Sequence, residues 1–116
     1  MSEMSHSLTV QIATVKGTHT VQVRGEVDLQ TAPQLRDLLL DTVKKQAGDL
    51  LVDLSQVGYM DSSGVASLVK LLARVRREKV SLKLAGLTPR VRSVFEITRL
   101  DSVFEICASV EEALRS

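Results

Sequence analysis

The tetrapeptide Asp61-Ser62-Ser63-Gly64 sets one carboxylate and two adjacent hydroxyls directly ahead of a glycine. It lies between an apolar, strand-like run and a helix-periodic one through Val65, Leu68, Val69, Leu72 and Val75. Two kinds of chemistry suit these residue types. Asp and Ser are preferred helix N-caps, because a side-chain oxygen accepts from the unpaired amides of the first turn. A serine in that place is also a candidate for phosphorylation. The phosphate adds roughly −1.5 to −2 charges, gains from the helix dipole and exposed amides, and is opposed by the neighbouring Asp61. Three candidate caps in a row exceed what one helix requires, and no Glu or Gln stands where a capping box needs it. Gly64 in a first helical turn costs about 1 kcal/mol relative to Ala. Such a glycine suits a place where another molecule's backbone must approach closely. Capping and modification both remain open on these residues; a modified serine would make a switch and not a catalyst.

Other chemistry finds little support. There is no G-x-x-x-x-G-K-[ST] phosphate loop, so the chain is not a nucleotide hydrolase of that class. The histidines are His6 in the tail and His19 in the hairpin turn, and no signature of a serine–histidine pair supports either as a catalytic base. With the single Cys107 and no paired histidine spacing, no zinc site is expected. The chain is therefore read as a binding module, not an enzyme, with no cofactor of its own.

The elements that must position Asp61 to Gly64 follow from periodicity. Leu8, Val10 and Ile12 alternate with polar neighbours, as do Val21 and Val23 beyond the turn "KGTH", which predicts a half-buried antiparallel hairpin. "TAPQ" at Thr31–Gln34 has the form of a capping box with Pro33 in the first turn of a helix through Leu35, Leu38, Leu39 and Val43, stopped at Gly48. "LLVDL" at Leu50–Leu54 reads as a central strand covered on both faces. The helix after Gly64 ends in "RVRREK", a solvated end whose cations suit the dipole, and Val80, Leu82 and Leu84 form the next strand. Thr88-Pro89 opens a helix with Val91, Val94 and Phe95 on its apolar side. A short strand follows around Val103 to Ile106, and "SVEE" at Ser109–Glu112 caps a last helix. The order predicts an α/β fold: a mixed sheet with an N-terminal hairpin and crossover helices.

The chain has 116 residues, 44% apolar and 25% charged, the balance of one globular domain with a real core. Residues 1–7, "MSEMSHS", read as a disordered tail ahead of a domain spanning 8–116. Lys and Arg number 15 against 14 Asp and Glu, and aromatics are 3%, which argues against a basic, ring-lined nucleic-acid groove. No run approaches the roughly 18 apolar residues of a spanning helix, so no direct membrane insertion is expected. A lone cysteine and the lack of a signal-like apolar stretch lead to the expectation of a cytoplasmic protein.

Three segments taken together carry a resemblance: "GEVDLQTAPQLRDLL" (Gly25–Leu39), "LLVDLSQVGYMDSSGV" (Leu50–Val65) and "VRSVFEITRLDSVFEI" (Val91–Ile106). With these the chain resembles a STAS domain of the bacterial anti-sigma-factor antagonist family over nearly its whole length. The resemblance implies partner switching. The unmodified antagonist binds an anti-sigma factor that is also a serine kinase of the histidine-kinase-like ATPase fold, phosphorylation releases it, and a serine phosphatase resets the cycle. It further implies Ser63 as acceptor, Asp61 as the adjacent acid and Asp28 as the acid of a neighbouring loop. Ser62, Gly64 and Val65 then flank the site on the docking surface, with Ser62 a cap or hydrogen-bonding group and Val65 and Leu71 either core or docking contacts. Two positions depart from the family pattern: Gly64-Val65-Ala66 stands where many members have Gly-Leu-Gly, and Arg99 where many have glycine. Other branches imply other roles, as an accessory subunit on the ATPase of a lipid-transport ABC system or as a partner switch with a non-sigma output.

Overall fold

The computed structural model describes residues 8–45 and 47–115; the proposed tail lies outside them. Strands β1 (Thr9–Val15) and β2 (Thr18–Val27) form the hairpin, joined by Lys16 and Gly17, both with positive φ. Helix α1 (Ala32–Lys45), strand β3 (Asp49–Met60), helix α2 (Ser62–Arg77), strand β4 (Leu82–Ala85), helix α3 (Pro89–Ile97), strand β5 (Glu105–Cys107) and helix α4 (Val110–Arg115) follow. The sheet order is β1-β2-β3-β4-β5, with β1 antiparallel to β2 and every later pair parallel. The mixed sheet and crossover helices expected from the periodicity are thus present.

Side-chain alternation divides the packing. Val21, Val23, Leu50, Val52, Leu54, Leu82 and Leu84 pack with α1, α2 and α3 in the main core. Leu51, Ala85 and Cys107 meet Ala113 of α4 in a smaller cluster. β3 has buried residues for both, which is why Leu50–Leu54 reads as an almost unbroken apolar run. Phe95 and Phe104 pack edge to face, with ring centroids 5.5 Å apart, and tie α3 to the chain leading into β5. Burial pushes the Cys107 thiol up, and the Glu105 carboxylate adds to it, so this sulfur is a poor nucleophile.

Expectations that need correction concern β1, the start of α1, the apolar face of α2 and the start of β5. β1 is the edge strand beside β2, and its half of the hairpin is largely exposed, Ile12 included, because among the described residues no strand pairs with its outer side. β3 runs on past the apolar stretch at Leu50–Leu54 and hands over to α2 at Met60, where the caps ahead of the helix place the handover. The capping box at Thr31 is not built: the Thr31 hydroxyl turns back to the Glu26 carbonyl at 2.8 Å and receives the Asp28 amide at 2.9 Å. On α2, Leu71 is buried and Val69 exposed, so the apolar face is Val65, Leu68, Leu71, Leu72 and Val75. The last strand starts later than expected, at Glu105, and leaves Val103 exposed.

The other helix signals are realised. Thr88 caps α3 with Pro89 at its start, and the Ser109 hydroxyl accepts from the Glu112 amide at 3.1 Å. "RVRREK" is a solvated end in which Arg74 reaches Glu78 at 3.3 Å. Past α3, Arg99 takes φ 62°, and the Leu100 amide closes on the Phe95 carbonyl at 2.8 Å. This is the left-handed helix-ending position at which a Cβ is strained and glycine is favoured. Relief of that strain outweighs the added freedom of the unfolded chain, so Arg99→Gly is expected to stabilise the protein by about 0.5–1 kcal/mol. The check is a raised urea midpoint at unchanged slope; a lowered midpoint would contradict the strain argument.

Candidate functional site

The parallel pairing of β2 with β3 builds the site. Their last paired residues are Val27 and Met60, and the Asp61 amide donates to the Val27 carbonyl at 3.0 Å. The chain therefore leaves the sheet at two adjacent points, one step before Asp28 and one before Asp61. Each acid then organises its own turn. Asp28 Oδ1 accepts from the amides of Gln30 (2.9 Å) and Thr31 (3.0 Å), an arrangement that holds the loop into α1. Asp61 is the N-cap of α2 and accepts from the amides of Ser63 (2.9 Å) and Gly64 (3.3 Å). The question of which residue caps the helix is settled in favour of Asp61. Ser62 and Ser63 are its first two helical residues, and the expectation that Ser62 serves as a cap is corrected.

The two serines face different ways. Ser63, partly exposed, lines a shallow groove of about 210 Å³ between α1 and α2 with Leu29, Pro33, Arg36, Ala66 and Lys70. Ser62, exposed, lines a second groove of about 420 Å³ toward the end of α3 with Val69, Thr98 and Leu100. Ala66 and Lys70 form the ridge that the two grooves share. Beneath it the buried Ser67 hydroxyl lies 3.1 Å from the Ser63 carbonyl and 3.4 Å from the Ala32 carbonyl, linking α2 to the start of α1.

Gly64 and Val65 are buried on the opposite side of the helix. A Cβ on Gly64 would stand 2.6 Å from Met60 Cγ and 2.7 Å from Val27 Cγ1. The close approach that this glycine permits is internal, to the ends of β2 and β3, and not to another molecule's backbone. Val65, only 3% exposed, belongs to the core. The surface that a partner could touch is instead Ser62, Ser63, Ala66, Val69, Lys70 and the 74% exposed Leu29. Arg36 and Leu29 were not legible as site residues, because they come to Ser63 only through the packing of α1 on α2, and Ala66 and Lys70, on the helix of Ser63 itself, read as an ordinary solvent-facing side. A weak signal was Leu29 itself, an apolar residue isolated in a polar loop. Among the described residues no group of three or more His, Cys, Asp or Glu could hold a metal ion.

Gly64 gives this geometry a test of sign. Helix propensity alone makes Gly64→Ala stabilising by about 1 kcal/mol, whereas overpacking against Met60 and Val27 costs about 1–3 kcal/mol. A net loss of stability is expected in chemical denaturation, and a net gain would show that the glycine is not a packing requirement. Asp61→Ala, which removes both amide contacts of the cap, should cost about 1 kcal/mol.

Known proteins share this architecture. The STAS-domain family model matches residues 9–113. An anti-sigma-B factor antagonist of Bacillus subtilis is 37% identical over 91 residues, 78% of this chain and 83% of the relative. A protein of the same name from Staphylococcus aureus is 30% identical over 105 residues, 90% of this chain and 97% of its own length. The crystal structure of an anti-sigma factor antagonist from Mycobacterium paratuberculosis superposes with a TM-score of 0.85 at 27% identity, over 93% of this chain and 92% of that one. With the family model matched over residues 9–113 and the fold superposing over nearly the whole chain, the chain belongs to the STAS domain family, and its relatives there are anti-sigma factor antagonists.

Proposed function

We propose that this protein antagonises an anti-sigma factor by partner switching, with Ser63 as the phosphoacceptor. Unmodified, the surface around Ser63 binds an anti-sigma factor that is also a serine kinase of the histidine-kinase-like ATPase fold, and the sigma factor is freed. Phosphorylation of Ser63 releases the kinase, and a serine phosphatase restores the binding state. ATP and its metal belong to the kinase, so this chain acts in the cytoplasm as a binding module with no catalytic residues.

One observation carries the reading: an accessible hydroxyl on a rigidly capped helix end, with the Asp28 and Asp61 turns leaving the sheet side by side. A phosphate there adds charge to a surface without breaking any contact of the core. The relatives named as anti-sigma-B factor antagonists support an anti-sigma factor as the class of partner. Asp28, Asp61, Ser62 and the exposed ridge of α2 form the docking surface in this reading, and Gly64 and Val65 act beneath it by setting the helix position.

The test is affinity capture from the native lysate with wild type, Ser63→Ala and protein carrying genetically encoded phosphoserine at 63. A histidine-kinase-like ATPase is expected on the first two and at least about tenfold less of it on the third, a difference of about 1.4 kcal/mol. With ATP, that kinase should label wild type and spare Ser63→Ala. Label persisting on Ser62 would refute the assignment, and an ABC ATPase held equally by all three would replace the switch with a transporter role.

A further inference from the structure

The amide of Ser63 and the two that follow it are already taken. Asp61 Oδ1 accepts from the Ser63 and Gly64 amides, and the Val65 amide is paired with the Asp61 carbonyl at 3.3 Å. A phosphate on Ser63 cannot settle on these amides without displacing the cap, and the Asp61 carboxylate repels it from that side. The Asp28 carboxylate, engaged with the amides of its own loop, adds repulsion from the same end.

The groove between α1 and α2 offers the opposite charge. Ser63 shares it with Arg36 and Lys70. Lys70 follows Ser63 by seven residues, about 10 Å along the axis and on the same face of the helix, and a long side chain in a helix leans back toward the N-terminus. Arg36 pairs with the adjacent Asp37 at 3.2 Å, an exposed contact of the weak and readily exchanged kind.

We infer that Arg36 and Lys70 form an intramolecular phosphate site: phosphoserine at 63 turns away from the helix N-terminus into the α1–α2 groove and is held there by the two cations. The inference rests on Ser63 being the acceptor, as proposed above. Transfer of the γ-phosphoryl group of ATP by the partner kinase forms the Oγ–P bond, breaks the bond to the β-phosphate, and releases ADP and the hydroxyl proton. The resulting anion lies over Pro33 and Ala66, so modification changes the shape of the groove together with its charge.

Genetically encoded phosphoserine tests the site in the isolated protein. A phosphate held by cations ionises at lower pH, which phosphorus NMR reads directly. The second pKa of the phosphate in the wild-type background is expected to lie about 0.5 unit or more below that in the Arg36→Gln, Lys70→Gln double variant, a threefold or larger change in proton affinity. Arg77→Gln, which removes a cation from the far end of α2, should leave it unmoved. Identical titration of wild type and double variant overturns the inference, as does an Arg77→Gln shift as large as that of Lys70→Gln. No kinase takes part, so a failure of Ser63 as the natural acceptor shows up separately, as partner binding indifferent to phosphoserine.

Discussion

The parallel pairing of β2 with β3 fixes both the core and the site, and it does so through an irregular register. The pairing starts at Thr18 opposite Asp49 and ends at Val27 opposite Met60, with shifts between Gln22 and Arg24 and between Gly25 and Glu26. Each shift gives β3 one residue more than β2. Two added residues restore the original facing, so Met60 reaches the core beside Val27 while the strand between them twists more strongly. Without either added residue the Asp61 amide could not meet the Val27 carbonyl, and the turns of Asp28 and Asp61 would not leave the sheet together.

That irregularity explains which part of the fold was legible. Leu50–Leu54 announced itself because five successive residues are buried, the mark of a strand covered on both faces. From Ser55 to Met60 burial recurs every third residue, at Val57 and Met60, and a spacing of three matches neither strand nor helix. The end of β3, which positions the site, was therefore the part hidden from periodicity. Thr31 was misread for a related reason. Its spacing to Gln34 suits a capping box, but the carbonyl of Glu26 at the end of β2 competes for its hydroxyl, and that neighbour exists only after the sheet forms. Val69 shows a third kind of loss. It fits the apolar period of α2, yet it lines the open groove toward the end of α3 and stays exposed there.

Composition alone identified the place of the site but could not divide the labour within it. Asp61, Ser62 and Ser63 are all acceptable caps, and only the helix start shows that Asp61 takes the amides and leaves both hydroxyls to other uses. Gly64 was legible as a close approach, but which partner approaches was not. The answer is the pair Met60 and Val27, the same two residues that end the β2–β3 ladder. One buried contact thus locks the helix to the strands that place the acids.

A rigid mount limits how a modification there can act. The first turn of α2 is held by the Asp61 cap, by the absence of a Cβ at Gly64 and by Ser67 beneath the Ser63 carbonyl. Moving this turn would unpack Val65 and Leu68, at a cost far above what one surface phosphate supplies. In the proposed switch a phosphate at Ser63 therefore acts on the surface, between the carboxylate of Asp61 at the helix end and the cations that line the groove. Binding that depends on such a surface can be reversed by a change of charge while the fold beneath it stays as it was.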